Sequence, residues 1–507
     1  MNWILIGLLA IGTAQAGEFA KQVKDTKEES IFWTQRKAQK NIEGSALSVS
    51  GSEFEIKPKA IKKLIKAKKE NVAISVLLSG KRSKLLLVKQ DPFGYATEGV
   101  HYAGIVKGDD ESLVSLSIFD GKVTGSISTN GRTYSVDTSG PVVFVQDLEG
   151  QHNPIPDAEE APIPFEHLKE EVAKAVAAEA VPGIKEIKIA FEMDYKGFLA
   201  FAQNTANIQT VFQSVFAQVA AIYANTGKVT VKAASFKVWT SQDPYDATDI
   251  GRLLYNFADK NYLTKPAGVD AMHLLTVRGW GGIAYVDQLC KTLPFGVSSI
   301  YTSFPVSPVY SWPSYVIAHE LGHTIASKHT HACVWNGNNT AIDGCYNPEG
   351  TCVRPAVPQG FKGTIMSYCH VSSAGVDFGQ GFGPQPLAAI EKAVNAASCL
   401  GSVQPPPPPP PPAVFSIASS VVGQNKTVAD TTKRNWIDLT LTGVVGTPTF
   451  AAKLTTNTSW SAKAPLALGN NVFRVYVNSA NTNYDASATC GACSPASTKQ
   501  VSFRTLP

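Results

Sequence analysis

The chain predicts an α/β (α+β) central domain, a mainly β segment before it, and a small β-sandwich after it. Three observations predict this. Between residues 181 and 400, strand-like runs alternate with helical ones. Upstream, period-two segments such as SLVSLSIF (Ser112–Phe119) and PVVFVQ (Pro141–Gln146) recur among basic helical stretches. Downstream of eight consecutive prolines, Pro405–Pro412, the segments IDLTLT, FRVYVN and VSFRT each alternate with period two. A chain of 507 residues exceeds what one core supports, so several domains are expected.

In order, MNWILIGLLAIGTAQA has an apolar run from Trp3 to Ile11, then the small-residue site Ala14-Gln15-Ala16. The run is shorter than the roughly 20 residues a membrane span requires, so residues 1–16 read as a signal peptide. The expectation is export, with no membrane span. Residues 17–180 follow, closing in the acidic, proline-rich stretch Asn153–His167. Their basic run, Lys57–Glu70, reads as a solvated helix with Ile61, Leu64 and Ile65 inward. A unit spanning 181–400 opens on the strand-like IKEIKIAFEMDY. One helical pattern then runs through Phe198–Asn225, carrying Phe212, Val215, Phe216, Val219 and Ile222 on one face, and strand-like VTVKAASFKVW comes next. Residues 401–412 form a polyproline spacer, and 413–507 the terminal β domain.

A net charge of +4 does not imply a nucleic-acid partner. All eight cysteines lie after residue 289; an even count in an exported chain reads as disulfides. Cys490 and Cys493, in CGAC, read as a local staple.

The stretch HELGHTIASKHTH, His319–His331, concentrates four of nine histidines. His319 and His323 are four apart, so on a helix both imidazoles project from one face and can grip one ion. His329, beyond the helix end, supplies a third nitrogen, leaving one position open, as in catalytic zinc sites. Zinc so held brings the pKa of a water to about 7, and Glu320 is placed to take its proton. His331 and His370 read as neighbours of the site, and His101, His152, His167 and His273 as structural.

The pattern His319-Glu320-x-x-His323-x-x-Ala326-x-x-His329, with Gly363-Thr364-Ile365-Met366-Ser367-Tyr368, resembles the metzincin zinc peptidases and their Met-turn. GGIAYVDQLC, HTHACVW and the cysteines near the Met-turn are similar to the reprolysin (adamalysin) branch in its bacterial form. His101–Val136 is similar to the propeptides of that branch. The resemblance implies one catalytic Zn2+, with His319, His323 and His329 as ligands and Glu320 as general base. Met366 would be the hydrophobic floor, and the strand around Gly281–Tyr285 the edge that receives an extended peptide. Two departures stand out: Ala326 replaces a glycine that turns the chain, and Tyr368 follows the methionine by two residues, which makes it a candidate oxyanion stabiliser.

By the same resemblance Cys290 pairs with Cys399. From position, Cys333 is expected to pair with Cys369 and Cys345 with Cys352. The 413–507 domain resembles bacterial immunoglobulin-like modules, with a surface or glycan ligand as one role. The expected function is a secreted, monomeric zinc endopeptidase acting on proteins or peptides and made as a latent zymogen. The alternative is a non-catalytic adhesion or binding protein on the same fold; an intact Glu320 favours the enzyme. Residues 17–180 contain no cysteine, so a thiolate cannot silence the zinc. Latency is expected from a carboxylate or imidazole on the metal, with Asp157–Glu160 the nearest exposed candidate, or from obstruction of the cleft.

Overall fold

The computed structural model describes residues 17–41, 48–139, 142–147, 184–300, 311–400, 402–403, 416–424, 435–442, 447–469, 471–490 and 497–506. The expected signal peptide, the Asn153–His167 stretch with His152, His167 and Asp157–Glu160, the prolines Pro405–Pro412 and Cys493 lie outside them. Ser402 and Val403, at the start of the expected spacer, pair antiparallel with Lys185 and Ile184 instead. The chain forms two compact units, divided at Val403/Gln404.

The first unit opens with a short helix, α1 (Glu18–Gln22), and a nine-stranded antiparallel sheet. Its strands are β1 (Phe32–Asn41), β2 (Ser48–Ile56), β3 (Asn71–Leu78), β4 (Lys81–Gln90), β5 (Val100–Val106), β6 (Asp109–Phe119), β7 (Lys122–Thr129), β8 (Arg132–Ser139) and β9 (Val142–Asp147). The spatial order is β1-β2-β9-β8-β7-β6-β5-β4-β3. The expected basic helix is α2 (Pro58–Ala67), which buries Ile61 and Leu64. Alternation decides which face each residue serves. Leu85 and Leu87 join one core with Phe54, Tyr102 and Leu116. Leu86, between them, joins another core with Phe93, Ala103 and Leu113.

That second core is shared with the following α/β region. There, β10 (Ile184–Met193) pairs in parallel with β11 (Val229–Val238) and β12 (Ala271–Thr276). β12 pairs in parallel with β14 (Phe295–Ser299). The short β13 (Gly282–Ala284) runs antiparallel to β14 at the end of the described sheet. The long helical pattern is two helices, α3 (Tyr195–Ala200) and α4 (Thr205–Ala224). Between them Ala202 and Gln203 take positive φ of 51° and 59°, and Asn204 caps α4 by accepting from the Asn207 N–H at 2.9 Å. Helix α4 is buried on every side along its middle, including Gln213, Ser214 and Gln218. One side of it meets Phe93, with ring centroids 5.8 Å from Phe216, and the Ser214 hydroxyl lies 2.6 Å from that of Thr124. On another side, the Tyr223 hydroxyl donates to Ala318 O at 2.9 Å. The N-terminal sheet thus packs directly on α4. It also reaches the segment after the Met-turn, where Ser128 donates to Asp377 at 2.6 Å.

The remaining helices are α5 (Ile250–Asn261), α6 (Ser311–Ile325) and α7 (Pro384–Ala396). No helix of the described residues is long and apolar enough to cross a membrane. A buried ion network steadies the approach to β13. Arg278 donates to Asp194 at 2.8 Å, to Asp243 at 3.0 Å and to Tyr245 O at 2.6 Å.

Cys290 pairs with Cys399, as expected, but the other two pairings are exchanged: Cys333 joins Cys352 and Cys345 joins Cys369. The physical reason is the path of the loop. Ile342 N–H donates to Thr330 O at 2.7 Å, which carries Cys345 inward towards Cys369 beside the Met-turn. Residues 349–352 then return alongside 331–333, with an Ala332↔Glu349 bridge. Cys490 is also disulfide-bonded.

The second unit holds two four-stranded antiparallel sheets. IDLTLT, FRVYVN and VSFRT fall in β15 (Asn435–Thr442), β16 (Val472–Val477) and β17 (Ser497–Arg504). Ile437, Leu439 and Val475 from one sheet share a core with Phe450, Ala486 and Ala488 from the other.

Candidate metal centre

Helix α6 carries His319, Glu320 and His323, all at most 3% exposed. The helical period sets both imidazoles on one face. The helix stops at Ile325 without a left-handed residue at Ala326. Instead both Ala326 and Ser327 N–H donate to Gly322 O, at 3.1 and 2.9 Å. This widened last turn removes the need for glycine at 326 and sends the chain back to His329.

Each imidazole is oriented through its Nδ1. His319 Nδ1 lies 2.6 Å from Ile365 O, and His323 Nδ1 lies 2.7 Å from Ser327 O. Carbonyls only accept, so those nitrogens carry the protons and each Nε2 presents a lone pair. His329 Nδ1 faces Glu349 Oε1 at 2.6 Å. The three Nε2 atoms converge: His323 lies 3.0 Å from His319 and 2.9 Å from His329. Three lone pairs at that separation repel unless a cation sits among them. The set therefore fits zinc, which takes imidazole nitrogen at about 2.0–2.1 Å in tetrahedral geometry. His319, His323 and His329 form a group able to hold a metal ion.

Burial keeps the trio neutral. It pushes His319 well below its ordinary pKa, helped by His323, and does the same to His323, helped by His329. Burial also takes His329 down to about 3. For Glu349, burial pushes the carboxyl up, but hydrogen bonds from His329 and His331 outweigh it and hold it below the ordinary carboxylate range.

Met366 is fully buried and packs against the helix that carries His319 and His323. It determines the residue at 322: a Cβ on Gly322 would stand 2.6 Å from Met366 Sδ. The Met-turn is tied to the third arm by Thr330 N–H donating to Met366 O at 2.9 Å. Glu320 abuts β13 so closely that a Cβ on Gly282 would lie 2.4 Å from Glu320 Oε1. Tyr368, in a 3-10 turn (Tyr368–Val371), places its ring 4.6 Å from those of His329 and His331. His370 packs on Tyr315, at 4.7 Å, and on Trp312. His101 and His273 lie elsewhere, each buried against a serine hydroxyl at 2.8 Å.

Sequence reasoning did not single out Glu349 or Gly282. Glu349 sits twenty positions after His329 with no ligand spacing; its only signal is a carboxylate inside a cysteine-bounded loop.

One likeness to a solved structure, titled "Structure of a chaperone-substrate complex", has a TM-score of 0.24 and 10% identity. It covers 40% of this chain and 27% of that one, and carries no argument. Residues 184–378 match the family model Reprolysin_5, metallo-peptidase family M12. With its converging histidines, this part of the chain is similar to the reprolysin-like metallopeptidases.

Proposed function

We propose that the protein is an exported zinc endopeptidase that cleaves proteins or peptides, with His319, His323 and His329 holding the metal. The observation that carries this reading is the convergence of three lone-pair nitrogens, with His323 Nε2 3.0 and 2.9 Å from those of His319 and His329, beside a buried glutamate. Zinc held there supplies Lewis acidity towards a carbonyl and acidifies water. Glu320 takes the proton of the attacking water and returns it to the leaving amine. The β13 edge pairs with an extended substrate main chain and lays the scissile bond alongside Glu320. Tyr368 steadies the developing oxyanion; Tyr368→Phe tests that assignment, because the ring packing persists and only the hydroxyl is lost. The experiment for the whole reading compares Glu320→Gln with His323→Ala. The first should retain about one zinc per chain without peptidase activity, and the second should lose the metal. Full activity in Glu320→Gln refutes the mechanism.

Export agrees with the leader at 1–16 and with the disulfides Cys290–Cys399, Cys333–Cys352 and Cys345–Cys369. In the zymogen reading, latency belongs to the segment 17–180, through a carboxylate or imidazole on the metal or through obstruction of the cleft. Described contacts of 17–147 include ones on α4, β11, Asn225 and 362–379. Activation of the uncleaved chain by a trace of another protease, but not by a thiol-reactive mercurial, is the expected result. Full activity of the untreated chain overturns latency.

A further inference from the structure

His319 and His323 are steadied by main-chain carbonyls that the fold itself fixes, Ile365 O and Ser327 O. His329 is different: its Nδ1 faces a side chain, Glu349, from a loop twenty residues on. The same carboxylate oxygen lies 3.4 Å from Nε2 of His331, whose ring stacks on His329 at 4.8 Å. The main chain of His329 is separately held, since Trp335 Nε1–H donates to His329 O at 2.7 Å. What Glu349 adds is therefore the orientation of the ring, not of the backbone.

The loop is set by one short ladder and one covalent link. Cys333 N–H donates to Glu349 O at 2.8 Å, and Glu349 N–H to His331 O at 3.1 Å. The Cys333–Cys352 disulfide lies three residues on, and Cys352 N–H points to Cys333 Sγ at 3.1 Å. Gly350 allows the close passage. Its φ is +116°, and a Cβ there would sit 2.9 Å from Cys333 Cβ.

We propose that Glu349 is the positioning residue of His329, fixing which nitrogen faces the metal and the tilt of the ring, and that the Cys333–Cys352 bridge holds Glu349 in place. Zinc retention then depends on a carboxylate and a disulfide that lie outside the ligand motif. The inference rests on the zinc reading above. A ring whose outer nitrogen loses its acceptor can rotate or change tautomer, and either change misdirects the lone pair.

The test measures zinc affinity of the full chain by competition with a chelator, with the absorption spectrum of the cobalt-substituted protein as a second readout. Glu349→Ala should weaken zinc binding by roughly 10- to 100-fold and shift the cobalt bands. Glu349→Gln keeps an acceptor oxygen and should lose only a few-fold. Cys333→Ser with Cys352→Ser should reproduce the alanine loss, and adding Glu349→Ala to that pair should cost nothing more. Should the alanine variant not fold, the glutamine variant decides by its cobalt bands: shifted bands support the proposal and unshifted bands overturn it. Wild-type affinity in Glu349→Ala overturns the positioning role, and additive losses overturn the role of the bridge. Two zinc ions per wild-type chain would make Glu349 a ligand and also overturn it. No zinc in the wild type refutes the metal site itself, a result distinct from all of these.

Discussion

Gly282→Ala is a one-carbon change that should disable the base while sparing the metal. A Cβ at 282 would lie 2.4 Å from Oε1, 2.5 Å from Cγ and 2.7 Å from Cδ of Glu320. Carbon–carbon and carbon–oxygen contacts settle near 3.5 Å, so the carboxylate must retreat by about 1 Å or β13 must bend away. A displacement of that size costs about 100-fold in rate, or about 2.7 kcal/mol of barrier. Zinc content should not fall, because the three imidazoles and their Nδ1 acceptors are untouched. The assay is kcat and KM on a fluorogenic peptide, with zinc counted in the same sample. If the effect runs through Glu320, the double variant Glu320→Gln/Gly282→Ala should be no slower than Glu320→Gln alone. Wild-type kcat in Gly282→Ala would refute the contact, and loss of zinc would refute the separation of base from ligands.

His101, buried between Phe93 and Phe119, is pushed down to about 4 by burial, against about 6.5 unfolded. The unfolded chain binds the proton more readily, so stability is intact above pH 6.5 and falls by about 3 kcal/mol as pH drops to 4. Urea unfolding of His101→Gln at both pH values should show a drop smaller by about that amount, and an unchanged drop would contradict it. Removing Cys290–Cys399, which closes a separation of 109 residues, should cost close to 5 kcal/mol on chain entropy, read as a lower urea midpoint. If the midpoint holds, that closure is not supporting the fold. Cleavage at a protease site installed within 148–183 should leave both fragments co-eluting in gel filtration, because Phe93 and Leu113 share one core with Phe212 and Phe216. Separate elution under native conditions would refute so tight a packing.

The ligand motif was legible in the sequence because helical period is local: His319 and His323 had to share a face wherever the helix lay. The disulfide exchange was not. Cys345 reaches Cys369 only because residue 342 hydrogen-bonds to residue 330, a contact that spacing does not encode. Glu349 and Gly282 were missed for the same reason, since each meets its partner across a loop or a strand rather than along a helix. The break between α3 and α4 carries no glycine or proline; the cap residue Asn204 was the one local mark of it. In the N-terminal sheet, alternation told strand from helix, but not that the face bearing Leu86 would be covered by α4.

The central claim is that three converging imidazoles and Glu320 make a zinc-dependent peptidase. The most direct measurement incubates the protein, cleaved within 148–183, with a denatured protein substrate, with and without a chelator, and maps new termini by mass spectrometry. The account predicts internal peptide-bond cleavage that the chelator abolishes, that restored zinc returns, and that Glu320→Gln lacks. Cleavage that survives both the chelator and Glu320→Gln, or no cleavage by a fully zinc-loaded wild-type protein, would contradict it.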